Sequence, residues 1–296
     1  MDRPCYSGRR PIRQVMPSSD AQNSSLVHIG EQTMDLNLKG RAAAVAAASA
    51  GLGFASALTL AQEGCRVAIC ARNEDRLQAA ADRIREETGS EILALVADMS
   101  DAEAPGAFIQ AATDRFGGLD IVVANAGGPP SGEFADKTDT EWALALQLNL
   151  MSAVRLFRSA LPHVTASDQG RLVAITSVSA KHPMESMVLS NATRTGVHGV
   201  IKTLSMELAA TGTTVNAVCP GVTKTDRLDE LAQQAADQKG ITVEEAFAER
   251  AATVPLGRLG DPMEFGAAVT FLCSRQAGFI TGIGLAADGG FMGALP

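Results

Sequence analysis

The sequence predicts an α/β domain built from parallel strand–helix–strand units, and three observations carry that prediction. Short apolar runs alternate with segments of helical spacing along most of the chain. A turn of small residues, Ala46-Ala47-Ala48-Ser49-Ala50-Gly51-Leu52-Gly53, joins the first apolar run to the first helical segment. The length of 296 residues, with 46% apolar and 20% charged residues, is enough for one large core.

The first strand is Ala42 to Val45. The helix after the turn places Phe54, Leu58 and Ala61 on one face and stops at Gly64. Glycines there would let backbone approach a pyrophosphate, whose charge the N–H groups and dipole of the helix N-terminus favour. Cys65 to Ala71 is the second strand. Asn73 caps a helix with Glu74 and Asp75 in its first turn and Leu77, Ala80 and Ile84 on one side. Glu91 to Ala97 is the third strand, closing on Asp98, and Ile121 to Ala124 the fourth, running into the turn-rich Asn125-Ala126-Gly127-Gly128-Pro129-Pro130. Thr138 with Glu141 reads as a capping box for one long helix through Leu161. Arg171 to Thr176 is the fifth strand, Val188 to Ala210 a long helix, and Thr214 to Cys219 the sixth strand, followed by Pro220-Gly221. Asp261-Pro262-Met263-Glu264 starts another helix, and Ile280 to Ala286 is the last strand.

Composition excludes several function classes. Net charge is −8, and no basic cluster exceeds Arg9-Arg10, so no nucleic-acid partner is expected. No apolar run approaches the ~18 residues that span a bilayer, so no membrane partner is expected. Five cysteines at irregular positions read as reduced thiols of a cytoplasmic protein. Four histidines, none near a cysteine cluster, predict no metal site. Residues 1–33 mix Pro, Ser, Arg, Gln and Asn without periodicity and read as a disordered tail, with a single domain over 34–296.

Taken jointly, the glycine turn, Asp98, Asn125-Ala126-Gly127, Asn149, Ser177, Asn216-Ala217-Val218-Cys219-Pro220-Gly221, Thr225 and Asp288-Gly289-Gly290 resemble the short-chain dehydrogenase/reductase family, especially its 3-oxoacyl-carrier-protein-reductase-like branch. The resemblance implies a Rossmann-type doubly wound parallel sheet of about seven strands with helices on both faces. It implies a dinucleotide held by Ala47, Ser49, Gly51, Leu52 and Gly53 at the pyrophosphate, with Ala47 replacing the usual first glycine on the expectation of a negative φ. Asp98 and Met99 would meet the adenine, Asn125 and Gly127 the adenosine ribose, and Pro220, Gly221, Val222 and Thr225 the nicotinamide carboxamide. At the end of the second strand Arg72 can pair with a 2′-phosphate where an acidic residue would select NAD, so NADP(H) is favoured.

The implied catalytic set is Asn149, Ser177, Ser190 and Arg194. The family's tyrosine falls on Ser190 and its lysine on Arg194, and the chain's one tyrosine is Tyr6. A guanidinium holds its charge and cannot relay a proton, so Arg194 would orient the cofactor ribose. Protonation would fall to Ser177, to a water held by Ser190 and Asn149, or to Lys181, His182 or Glu185. Three functions stay open: an oxidoreductase acting on a carbonyl, alcohol or activated C=C of a small or acyl substrate with an atypical proton path, a dehydratase or isomerase on the same scaffold, and an inactive dinucleotide-binding protein. Residues 226–255 form a helical cover, with Leu228, Leu231, Phe247 and Leu256 as apolar lining. A homotetramer (or homodimer) is implied through helices 138–161 and 188–210, to which Ala153, Leu156, Ala160, Val197 and Ile201 would contribute apolar surface.

Overall fold

The computed structural model describes residues 34–293, and the expected tail lies outside them. Among these residues seven strands form one parallel sheet in the order β3-β2-β1-β4-β5-β6-β7: β1 Ala42–Val45, β2 Arg66–Ala71, β3 Ile92–Val96, β4 Ile121–Ala124, β5 Arg171–Ile175, β6 Thr214–Pro220 and β7 Gly284–Ala287. The order reverses between β1 and β4, and in such sheets the crevice beyond the strands' carboxyl ends at that point is where ligands bind. The turn after β1 and Asn125 after β4 therefore meet at one place.

Among the described residues nine α-helices accompany the sheet: α1 Gly51–Gln62, α2 Glu74–Thr88, α3 Ala104–Phe116, α4 Asp139–Ala145, α5 Ser152–Val164, α6 Val188–Glu207, α7 Asp226–Lys239, α8 Val243–Ala252 and α9 Pro262–Cys273. Successive strand residues feed opposite cores: Ala43 and Val45 pack with Leu58, Leu77, Ile84 and Phe265, whereas Ala42 and Ala44 pack with Phe108, Leu156 and Val197. A strand buried on both faces reads as a continuous apolar run, which is why β1 is Ala-Ala-Ala-Val. Between α1 and α9 the fit is backbone-close. A Cβ on Gly266 would lie 2.7 Å from the Ala55 carbonyl oxygen, and the buried Thr270 hydroxyl donates to Thr59 Oγ at 2.7 Å.

The local signals at helix starts are realised. Asn73 accepts from the Arg76 N–H, and Thr138 with Glu141 and Asp261 with Glu264 close capping boxes. The expected continuous helix from 138 to 161 is instead interrupted by a π-helical segment, Leu146–Met151, between α4 and α5. The helix from 188 ends at Glu207 rather than Ala210, with a 3₁₀ turn at Ala209–Thr211. The last strand begins at Gly284 rather than Ile280 because the Asn216 side chain takes the place of the ladder: its amide donates to the Ile280 carbonyl and accepts from the Ile283 N–H. The cover divides into α7 and α8, the second opened by a Thr242–Glu245 capping box. Phe247, expected to line a substrate cleft, packs against the α7–α8 contact formed by Ala232, Ala236 and Ala246.

One expectation is corrected outright. Ala153, Leu156, Ala160, Val197 and Ile201 are all buried in the chain's own core, under α3 and the sheet, so none offers surface to a second subunit. No helix among the described residues is long and apolar enough to cross a membrane.

Candidate active site

The turn after β1 is held by two strands at once: Ala46 N–H donates to the Val123 carbonyl and Ala48 N–H to that of Cys70. Ala47 has φ +48°, not the negative value expected. The turn needs the left-handed region that its usual glycine would occupy without strain, and an alanine there costs ~1–2 kcal/mol. Ala47→Gly should relieve that strain. After the extra backbone entropy of an unfolded glycine, about 0.5–1 kcal/mol of added stability is expected, read as a melting point higher by ~1–4 °C. A lower melting point would mean that Ala47 is unstrained.

Gly51 and Gly53 shape the rest of the turn. Gly51 has φ +57°, and a Cβ on Gly53 would lie 2.4 Å from the Ala47 carbonyl oxygen. Asn125 Nδ2 donates to the same oxygen at 3.1 Å, tying β4 to the turn. The N-cap residue Ala50 has no capping side chain, and the first turn of α1, with Leu52, holds no acidic residue. That leaves the positive end of α1, next to Ser49, available to an anion.

The other expected cofactor residues follow the carboxyl ends of β2, β3 and β6. Arg72 is exposed immediately after β2. Asp98 Oδ1 accepts from both the N–H and the hydroxyl of Ser100. The Met99 side chain is buried in the core beside Phe108, so only its backbone is available to a ligand. Pro220 ends β6. Gly221 lets the chain close on Asp288, where a Cβ would stand 2.7 Å from Asp288 Cα. Val222 follows, and Thr225 caps α7 by accepting from the Leu228 N–H, so its own hydroxyl proton stays free to donate.

Asn149 sits in the π-helical segment, and its Nδ2 donates to the Gly127 carbonyl at 2.9 Å. Its Oδ1 is buried without a partner. A cavity of about 10 Å³, close to the size of one water, adjoins it and is also lined by Asn125, Thr176 and Arg194. Ser177 is half-buried, and its Oγ accepts from the Ser179 N–H at 3.0 Å, so its O–H is free. Ser190 is buried beneath the loop, with Ser179 Oγ at 3.4 Å. Arg194 Nε donates to Ser190 Oγ at 3.2 Å and Nη1 to the Thr176 carbonyl at 2.7 Å. Burial with no carboxylate partner lowers its pKa to about 10, which keeps it charged at neutral pH. Lys181, His182 and Glu185 are all exposed on the following loop.

Two neighbours were missed in the sequence. Ser179 backs Ser190, and His198 Nε2 lies 3.0 Å from Thr176 Oγ and 3.6 Å from Cys219 Sγ. Burial, then the charge of Lys181, pushes the imidazole pKa down, so it is neutral at pH 7. Ser190, Arg194 and His198 are spaced i, i+4, i+8 on α6, and that periodicity was the available signal. Cys65, Cys70, Cys219 and Cys273 are buried free thiols. Among the described residues no group of three His, Cys, Asp or Glu could hold a metal. A separate pocket of about 600 Å³ opens beyond β6 and β7, lined by Val222, Val254, Leu256, Phe265 and Asp288. Leu256 is 65% exposed there, whereas Leu228 is buried and Leu231 half-buried on α7.

A parallel sheet with its switch point between β1 and β4, an uncapped α1 and a polar cluster from β5 and α6 define a dinucleotide-binding oxidoreductase class. Residues 46–292 match the family described as enoyl-(acyl carrier protein) reductase, and the chain belongs to the short-chain dehydrogenase/reductase family. It is 35% identical over 255 residues to the 3-oxoacyl-[acyl-carrier-protein] reductase FabG of Vibrio cholerae, covering 86% of this chain and 98% of that one. L-sorbose reductase from Gluconobacter frateurii, solved with NADPH and L-sorbose, superposes with a TM-score of 0.86 at 29% identity, covering 88% of this chain and 100% of that one. An NADPH-bound short-chain oxidoreductase from Pseudomonas aeruginosa PAO1, described as containing an atypical catalytic centre, gives 0.80 at 31% identity over 87% of this chain and 99% of that one.

Proposed function

We propose that this chain is an NADP(H)-dependent reductase of a carbonyl or activated C=C in a small or acyl substrate, working without a tyrosine acid. The observation that carries the reading is the serine–arginine cluster. Ser177 is half-buried with a free O–H, and Ser179 links it to a buried Ser190 whose oxygen is held by a charged Arg194. The NADPH-bound relatives and the exposed Arg72 at the end of β2 support the choice of cofactor.

When bound, the cofactor supplies hydride. Ser177 donates its hydroxyl to the substrate oxygen and polarises it. A water bound to Asn149 Oδ1 in the small cavity beside it would replace the missing phenol as proton source, the hydroxide left behind taking a proton from bulk solvent. Arg194 contributes positive charge near the developing oxyanion and holds Ser190 in place. Arg72 pairs with the 2′-phosphate. A single bidentate contact at an exposed site is worth about 1–2 kcal/mol, so Arg72→Ala should weaken NADPH binding roughly tenfold and leave NADH unchanged. Equal affinity of the parent protein for the two cofactors would refute the assignment. The catalytic reading is tested by NADPH oxidation across β-ketoacyl thioesters, simple ketones and enones. Cofactor binding with no turnover on any of them would favour an inactive binding protein, a reading supported by the fact that Arg194 already bonds inward to Thr176 and Ser190. Assembly, expected as a homotetramer, would have to use side chains that stay exposed on α4, the π segment and α6, such as Leu144, Leu146 and Met206.

A further inference from the structure

Arg76 in the first turn of α2 and Asp226 at the start of α7 form an ion pair between elements 150 residues apart. Both side chains are more than half exposed, so the pair is weakly held and open to competition. Its position gives it meaning. Arg76 lies one turn beyond Arg72, on the helix that leaves the C-terminal end of β2, and Asp226 directly follows Thr225. Thr225 itself reaches the glycine turn, since a Cβ on Gly51 would lie 3.5 Å from its Cγ2. The helical cover is therefore fastened to the rim of the dinucleotide crevice at two adjacent residues, one by packing and one by charge.

We propose that Arg76 is an exchangeable ligand: it holds α7 through Asp226 in the empty protein, and a 2′-phosphate takes it from Asp226. The inference rests on the NADP(H) reading above. A phosphate dianion beside Arg72 offers three acceptor oxygens and twice the charge of a carboxylate, so it competes well for a neighbouring guanidinium. Glu74 and Asp75 precede Arg76 in the same helical turn and oppose an anion there, which leaves Arg76 as the cation of that turn able to answer Arg72. NAD(H), with no 2′-phosphate, leaves the pair intact. The cover would thus sense which cofactor occupies the crevice.

Isothermal titration of the full-length protein with adenosine 2′,5′-bisphosphate and with 5′-AMP tests the exchange. The parent should prefer the bisphosphate. Arg76→Gln should weaken the bisphosphate about tenfold and leave 5′-AMP unchanged. Asp226→Asn removes the competitor and should strengthen the bisphosphate about two- to fivefold. In the double variant Arg76→Gln/Asp226→Asn that gain should be absent, because Asp226 acts only by occupying Arg76. A gain that persists without Arg76 would mean simple repulsion by Asp226 and would overturn the exchange, as would an unchanged Arg76→Gln. A parent that binds both probes equally would overturn the cofactor reading and the exchange with it.

Discussion

Arg194→Met should fold, lose at least tenfold in NADPH affinity and lose about a hundredfold or more in turnover, whereas Ser190→Ala should lose only about tenfold in turnover and nothing in binding. The difference follows from what each group does. Arg194 carries charge into a buried site and anchors itself on the Thr176 carbonyl and on Ser190, while Ser190 only receives the Nε–H and faces Ser179. Methionine fills similar space, and replacing a desolvated charge with an apolar side chain often costs little stability. Melting curves of the cofactor-free variant separate loss of fold from loss of site.

The same burial predicts a pH dependence. Arg194 ionises at about 10 in the folded protein, well below the ordinary guanidinium range, because desolvation disfavours its charged form. Below pH 10 the burial cost is fully present. Above about pH 10, until the ordinary guanidinium range is reached, the unfolded chain holds a proton that the folded one has released, so this group's contribution to stability rises with pH there. Cofactor affinity should move the other way and fall as pH rises through 10, since the positive charge beneath the site disappears. Affinity flat from pH 7 to 11 would show that Arg194 does not touch the cofactor's binding energy. Activity lost on Ser190→Ala as completely as on Arg194→Met would make Ser190 the proton carrier.

Much of this architecture could be read locally. Thr138 with Glu141 and Asp261 with Glu264 announce helix starts within four residues, and the apolar runs that became strands need no tertiary context to be seen. The larger misses share a cause: each depends on a partner far away in the chain. Leu146 to Met151 has an ordinary helical composition, and the π segment is tied to the Asn149 bond with the Gly127 carbonyl, 22 residues earlier. The start of β7 is displaced by a side-chain amide 64 residues before it. Ala153, Leu156 and Val197 show an apolar helix face by their spacing, but spacing cannot tell whether another helix or another subunit covers it. The site was legible through the family resemblance more than through periodicity. Ser179 and His198 lay outside the motifs that carried it, although His198 shares a helix face with two residues that did not.

Gly53→Ala should cost about 3 kcal/mol of stability, lower the melting point by roughly 6–12 °C and cut dinucleotide affinity by about a hundredfold. An added Cβ would stand 2.4 Å from the Ala47 carbonyl oxygen and 2.7 Å from Asn125 Nδ2, distances that no Cβ tolerates. Neither neighbour is free to yield. The Ala47 carbonyl belongs to a turn pinned by Val123 and Cys70, and Asn125 donates to that same oxygen. Either α1 moves away from β1 or the Asn125 bond breaks, and both displace the N–H groups at the helix start that a pyrophosphate would use. Gly199→Ala is the control within the same chain. Gly199 lies inside α6, where a Cβ meets nothing within 4 Å, so alanine should stabilise that helix by about 0.5–1 kcal/mol. The two substitutions add the same methyl group with opposite expected signs. If Gly53→Ala melted with the parent and bound NADPH equally well, the close approach of α1 to the turn would not be what holds the crevice in shape.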